Sequence, residues 1–473
     1  MPDMPVGVGD EAREAKLERR AALIALICFG VGIFFRYMYI FRWHPMLDYI
    51  FSDMMLYSNA VDTSLNPKWI ADINDTVFPP GTKVFFRTLK LLDPSMDLAM
   101  TIQFLLACAT PILIGLMAAK LFARRTGWYA CAMASLYFPL FDLNGYLLSE
   151  GPFIFFLLLA AWFFTAGITA ARPRSPRTLA CALAAGIFLG IAASFKSVAL
   201  PAGAFVLAGL VIMVWRHKLP LRRFIAAGVV GLLLVLVPLS VRATRLSEGR
   251  FCLIANELSR SVLLGHFGNI HHVNFQDARR DYYYVFGCPT GNQHGYTREV
   301  TLPVGVYENG PILAEAWTWT KAHPITSFML SVEHIFELFF TSECWPSYDR
   351  PLMQHWVILF HELFIVFILF PAVLYLLSRR REMLRLDPGA AAEIFLTLPV
   401  LALAVSAFIS IGEARYRVPF DAFLIILAAR FFSRRAPARA PLVQAFETRV
   451  SVAPAPAPEA EALASTRGIP SQC

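Results

Sequence analysis

Six side chains in this sequence are of types that could transfer a group from a phosphate to a hydroxyl: Asp53, Tyr57, Glu150, Lys196, Arg415 and Arg417. An aliphatic hydroxyl attacks poorly unless a base takes its proton, and a carboxylate such as Asp53 suits that role. A departing phosphate needs no general acid but does need positive charge aimed at its oxygens. Lys196, Arg415 and Arg417 can supply it, the arginines with a planar fork that binds phosphate oxygens in pairs. If the stretch after Asp53 is helical, Tyr57 shares its face at i+4 and can orient the carboxylate or contact a substrate.

Each residue also has a plainer reading. An acid at the end of an apolar run can simply be solvated. Glu150, in Ser149-Glu150-Gly151-Pro152, can complement a helix N-terminus. Lys196 can extend to a membrane surface, and Arg415 and Arg417 can meet lipid headgroups. Their sidedness separates the readings, and it depends on the elements that carry them.

Of the 473 residues, 57% are hydrophobic and only 16% are charged, with 40 Phe. A soluble protein carries about 25% charge, so the class is a polytopic membrane protein. Its net charge of +8 is no nucleic-acid signal, because the cations cluster in short loops between apolar runs. The segment 1–20 lacks a signal-peptide cleavage pattern, which makes the first run an uncleaved anchor. Ten runs are long enough to cross a bilayer, at 21–41, 98–122, 127–146, 150–170, 178–195, 198–215, 224–241, 352–377, 394–412 and 417–433. With ten spans, six basic segments fall on one face, from Arg13 to Arg20 at the start to Arg434 and Arg435 at the end. That face is expected to be cytoplasmic, with both termini on it. The expected fold class is therefore all-α and polytopic, with about ten transmembrane helices and external juxtamembrane helices.

Two large polar segments, 42–97 and 242–351, then fall on the opposite face, together with Asp53, Glu150, Lys196, Arg415 and Arg417. Two cations in the short link before the last span run against the positive-inside bias, which favours a functional role. The stretch 327–340 is apolar but broken by Glu333, His334 and Glu337, and reads as an amphipathic helix at the interface. The domain plan is a cytoplasmic segment 1–20, a transmembrane domain 21–433 and a disordered Ala/Pro-rich tail 434–473.

Cys28, Cys108, Cys131 and Cys181 fall in apolar runs, while Cys252, Cys288 and Cys344 fall in the second polar segment, where one disulfide can form. His266, His271, His272 and His294 have no metal-site spacing, nor is there a Cys-x-x-Cys. No cofactor is expected to be required, and a divalent metal has no support. The Asn74-Asp75-Thr76 sequon is a weak match, and the aromatics of Asp281-Tyr282-Tyr283-Tyr284 can stack on sugars or on one another.

These pieces, in order, resemble the GT-C glycosyltransferases, and among them the polyprenyl-phosphate-sugar-dependent branch. That branch holds protein O-mannosyltransferases and aminoarabinose transferases. The resemblance rests on Ser52-Asp53-Met54-Met55-Leu56-Tyr57, Phe78-Pro79-Pro80-Gly81, Leu148-Ser149-Glu150-Gly151-Pro152-Phe153, Ala255-Asn256, Gly268-Asn269 and Arg415-Tyr416-Arg417-Val418-Pro419-Phe420. It spans roughly residues 21–433. It implies an inverting enzyme of the inner membrane with Asp53 as base and an external active site. Glu150 would line the cavity, with Lys196, Arg415 and Arg417 near the lipid phosphate. The implied partners are a polyprenyl-phosphate sugar, an envelope lipid, glycan or protein acceptor, and membrane lipids, with no nucleic acid. Many relatives have two adjacent acids in the first loop. Here Met54 follows Asp53, so a second carboxylate would come from Asp62, Asp72, Asp75 or Glu150. Two alternatives stand beside this one: a polysaccharide polymerase or ligase using a lipid-diphosphate glycan, and a lipid or solute transporter. A transporter would usually show repeats and midplane polar groups; the sequence shows neither.

Overall fold

The computed structural model describes residues 8–50, 53–65, 78–170, 175–247, 249–255, 261–262, 265–266, 272–278, 281–287, 300–302, 309–341 and 351–433. Asp72, Asp75, the Asn74 sequon, Asn256, Gly268, Asn269, His271, His294, Cys288, Cys344 and the tail from 434 lie outside them.

The chain runs through α1 (Val8–Met38), α2 (Asp53–Leu65), α3 (Gly81–Leu92), α4 (Asp97–Leu121), α5 (Arg124–Leu136), α6 (Glu150–Ile168), α7 (Pro176–Phe195), α8 (Ala199–His217) and α9 (Arg222–Leu246). A three-stranded antiparallel meander follows, β1 (His272–Ala278), β2 (Asp281–Gly287) and β3 (Val300–Leu302). Then come α10 (Asn309–Ala322), α11 (Pro324–Phe340), α12 (Pro351–Phe364), α13 (Phe370–Leu384), α14 (Ala391–Ile409) and α15 (Ala414–Phe432). The all-α expectation holds for the bundle, and the meander adds a small sheet in the second polar segment.

Among the described residues, eight helices are long and apolar enough to cross a membrane, and each coincides with one of the ten expected spans. The other two expected spans, 127–146 and 417–433, lie side by side. Helix α15 is 19 residues long, about 28 Å. It is buried on every side from Arg417 to Ala429, at the centre of the bundle, where no lipid-facing apolar stripe is needed. Its charges therefore need partners inside the protein. Helix α5 has only 13 residues, but the segment it opens follows α15 from end to end. Thr126 Oγ1 lies 2.8 Å from Ser433 Oγ at one end, and the Tyr137 hydroxyl donates to Asp421 at 2.7 Å midway. Glu150 interacts electrostatically with Arg415 at the other end. The expected third crossing is thus a broken one, a short helix followed by turns at 139–142 and 143–145.

One buried arginine makes that break tolerable. Pro139 starts a new helical turn and has no N–H to give Ser135, while Pro111 inside α4 has none for the Ala107 carbonyl. Arg36 of α1 supplies both: its Nη1 donates to Ser135 O at 2.6 Å and its Nε to Ala107 O at 3.1 Å. Nη2 reaches Ala134 O at 3.2 Å, and the guanidinium lies 4.5 Å from the Phe141 ring. A buried cation is normally costly; here it satisfies carbonyls that proline and a helix end leave open.

Helix α11 has the amphipathic form expected of it. Ser327, Ser331 and Leu338 face the protein, whereas Ile325, Phe328, Met329, Val332 and Phe336 are exposed. The link from α14 to α15 passes tightly beneath it. A Cβ on Gly412 would overlap the His334 carbonyl of α11, so only glycine fits there.

Candidate functional site

At the end of the bundle where α2, α6 and α15 begin lies a cavity of about 510 Å³. Its polar wall is made by Asp53, Tyr57, Ser149, Glu150, Lys196, Arg415 and Tyr416. Leu200, Pro201, Leu253, Ile254, Leu403 and Ile409 are among its apolar lining. Five of the six expected site residues therefore meet, although they are drawn from four separate parts of the chain.

Each is placed by a helix end. Asp53 is the first residue of α2 and Glu150 the first of α6, positions where the helix dipole favours an acid. Lys196 ends α7 in an extended conformation. The turn before α3 packs against that end: a Cβ on Gly81 would run into the Ser194 carbonyl, so glycine lets Phe78 and Pro79 close the wall near Lys196. Tyr57 is held edge-on to Phe78 with ring centroids 5.8 Å apart. Arg415 stands in the first turn of α15, where a cation opposes the dipole and must be held by acids.

Those acids are present. Arg415 Nη1 lies 3.0 Å from Asp53 Oδ2, and its Nε lies 2.6 Å from Glu413 Oε2. Lys196 Nζ pairs with Glu150 Oε1 at 2.7 Å, and the Ser149 hydroxyl donates to Glu150 Oε2 at 3.0 Å. Glu150 is almost fully enclosed, with 2% of its side chain exposed, whereas Asp53 keeps 33%. The base candidate is therefore reachable and its neighbouring acid is locked. Two cations thus meet three carboxylates, Asp53, Glu150 and Glu413.

Arg417 does not join them. Two residues along a helix turn a side chain by about 200°, and Arg417 faces the interior instead. It pairs with Asp421 at 3.0 Å, lies 3.7 Å from the Phe364 ring, and donates to the Leu338 and Phe339 carbonyls at 3.1 and 3.2 Å. It closes the C-terminus of α11, where open carbonyls attract a cation. The expected place of Arg417 near a lipid phosphate is replaced by this role in the scaffold.

Met54 is also explained. It is fully buried in an apolar cluster with Met46, Val61, Phe86 and Leu148, where an unpaired carboxylate would be costly. Of the alternative acids, Glu150 lines the cavity, and Asp62 is engaged with Lys90 of α3. His266 joins elements: its Nδ1 meets Ser327 Oγ at 2.8 Å and its Nε2 the Ile409 carbonyl at 2.8 Å. Among the described residues no group of three or more His, Cys, Asp or Glu could hold a metal ion. Cys252 is buried with a free thiol. Two further neighbours of Arg415 gain no role from the sequence alone: Glu413, signalled only by adjacency, and Tyr416, which stands inside the Arg415-Tyr416-Arg417 motif.

Residues 89–245 match the family model described as dolichyl-phosphate-mannose-protein mannosyltransferase. Over that third of the chain, the resemblance to GT-C glycosyltransferases holds. The matched segment includes Glu150 and Lys196 but neither Asp53 nor Arg415. Two solved structures to which the chain shows a partial likeness are forms of the archaeal oligosaccharyltransferase AglB from Archaeoglobus fulgidus. The form in complex with an inhibitory peptide and a dolichol-phosphate is 12% identical, with 94% of this chain and 56% of that chain covered and a TM-score of 0.46. The apo form is 11% identical, with 92% and 56% covered and a TM-score of 0.48. This chain therefore spans little more than half the length of either structure. No curated protein sequence matches it.

Proposed function

We propose that this protein is a membrane glycosyltransferase that moves a sugar from a polyprenyl-phosphate donor to an acceptor hydroxyl, with inversion at the anomeric carbon. One observation carries the reading: a single cavity joins an accessible carboxylate and two cations to apolar walls, matching a ligand with a phosphate and a hydrocarbon chain. The match to a family of mannosyltransferases that use a lipid monophosphate donor supports it. Lys and Arg sidedness supports a site on the external face of the inner membrane, with both termini cytoplasmic. The acceptor is an envelope lipid, glycan or protein.

Arg415 pairs with Asp53. A donor phosphate offers that guanidinium a competing partner, one that can accept two hydrogen bonds at once. As the phosphate takes the fork, the Asp53 carboxylate is released to the acceptor. The acceptor hydroxyl then gives its proton to Asp53 and its oxygen bonds to the anomeric carbon. The bond from that carbon to the phosphate oxygen breaks, and polyprenyl phosphate leaves with the electron pair, held by Lys196 and Arg415. Donor therefore binds before acceptor. Glu150 holds Lys196 in place, and Tyr57 borders the acceptor side.

The test supplies the purified protein with labelled sugar on a polyprenyl monophosphate or on a polyprenyl diphosphate, together with envelope extracts as acceptor. Consumption of the monophosphate donor with release of polyprenyl phosphate is expected. Consumption of the diphosphate donor alone would replace this reading with that of a polymerase or ligase.

A further inference from the structure

Two like charges converge on one aromatic ring at the site. Lys196 Nζ lies 4.5 Å from the centroid of Tyr416, and Arg415 Cζ lies 5.2 Å from the same centroid. Arg415 Nη2 also reaches the Tyr416 hydroxyl at 3.4 Å. The direct ion pairs of these cations go to different acids, Lys196 to Glu150 and Arg415 to Asp53 and Glu413. Tyr416 is thus a group that both cations touch. Its ring also packs against the hydrophobic core while lining the cavity, which fixes its position.

We propose that Tyr416 is a positioning residue that sets the spacing of Lys196 and Arg415, making them one preorganised clamp for the donor's phosphate. The inference rests on the proposed function and assigns a residue to it. The carboxylates Glu150, Asp53 and Glu413 offset much of the repulsion between the two cations, but Asp53 is the one that leaves Arg415 when donor binds. The negative face of the ring attracts both, and the attraction strengthens where water is excluded. When the phosphate arrives and Arg415 leaves Asp53, the ring keeps that cation beside Lys196. The cost of assembling two long, flexible side chains around an anion is thereby met before binding. The active element is the ring face; the hydroxyl serves only to orient it.

The experiment compares wild type, Tyr416→Phe and Tyr416→Leu as full chains in lipid nanodiscs, with thermal unfolding as the control for folding. Two quantities are read: KM and kcat for the polyprenyl-phosphate sugar, and the Kd of sugar-free polyprenyl phosphate. The Phe variant is expected to stay within about twofold of wild type in both. The Leu variant should raise KM and Kd about tenfold, with a smaller change in kcat. Adding Lys196→Gln to the Leu variant should cost less than the two single effects combined. Should the Leu variant not fold, Tyr416→Met is read in its place. Unchanged donor KM and Kd in the Leu or Met variant, or equal losses in Phe and Leu, would overturn the proposal. A wild type that turns over no monophosphate donor and binds no polyprenyl phosphate would instead refute the function on which the proposal rests.

Discussion

Buried charge gathers at both ends of this bundle, but it is closed differently at each. At the Ser433 end, Glu393 accepts from the Tyr375 hydroxyl at 2.5 Å and lies 3.5 Å from Arg379. The cations there are held by carboxylates and backbone together: Arg379 by Glu382 at 3.0 Å and Gly389 O at 2.9 Å, Arg125 by Glu14 at 2.9 Å and Ser433 O at 3.1 Å. The main-chain share of these partners is fixed. At the Asp53 end, the cations finish on carboxylates beside a cavity of about 510 Å³. Those pairs border space that a ligand can occupy. Burial and pairing are common to both ends; the cavity is what sets the Asp53 end apart as a candidate site.

Arg415 and Arg417 repeat the contrast two residues apart. One faces the cavity; the other closes a helix end and meets Asp421. The same guanidinium chemistry therefore borders the cavity in one position and serves the scaffold in the next.

Three substitutions test this contrast. The largest effect is expected at Arg417. Arg417→Met leaves the fully buried Asp421 carboxylate with the Tyr137 hydroxyl in place of its cation, and breaking a buried pair costs about 3–5 kcal/mol of stability. Its unfolding midpoint should fall and most of its turnover should remain. A donor KM raised as far as in an Arg415 variant would return Arg417 to the site. Next, Arg415→Met should lower kcat/KM for donor by about 10²-fold or more, as when a donor to a developing anion is removed. Wild-type kinetics in that variant would show that the Asp53 end is also scaffold. At the closed end the expected effect is the smallest, a loss of stability. Glu393→Ala takes the carboxylate from the Tyr375 hydroxyl while Arg379 keeps Glu382 and the Gly389 carbonyl, and losing a hydrogen bond to a charged group costs about 1.5–3 kcal/mol. Thermal unfolding should show the loss while turnover per folded molecule is kept; a selective loss of turnover would erase the distinction between the ends.

Much of this arrangement was legible in the sequence, because run length and the placement of Lys and Arg report on the membrane directly. Eight expected spans match helices long and apolar enough to cross, and Asp53, Tyr57, Glu150, Lys196 and Arg415 line one cavity. What was not legible depends on contacts distant in sequence. The break after Leu136 is tolerated because Arg36, about a hundred residues earlier, satisfies Ser135. Run length alone puts Arg415 and Arg417 together at a short link before the last span. In fact α15 already begins at Ala414, and a helix sends the two side chains apart. Met54 stands where the resemblance leads one to expect an acid, and only packing against Phe86 and Leu148 shows why. Glu413 and Tyr416 have ordinary identities and become informative only once Arg415 has a position.

The central claim is that Asp53 is the base and that its pairing with Arg415 is exchanged for donor phosphate. The most direct measurement is steady-state transfer from a polyprenyl-phosphate sugar by Asp53→Asn, beside donor binding by the same variant. Transfer should fall by about 10²–10⁴-fold, while sugar-free polyprenyl phosphate binds at least as tightly as to wild type, because Arg415 no longer has a carboxylate to leave. Transfer at the wild-type rate, or donor binding lost in step with transfer, would contradict the account.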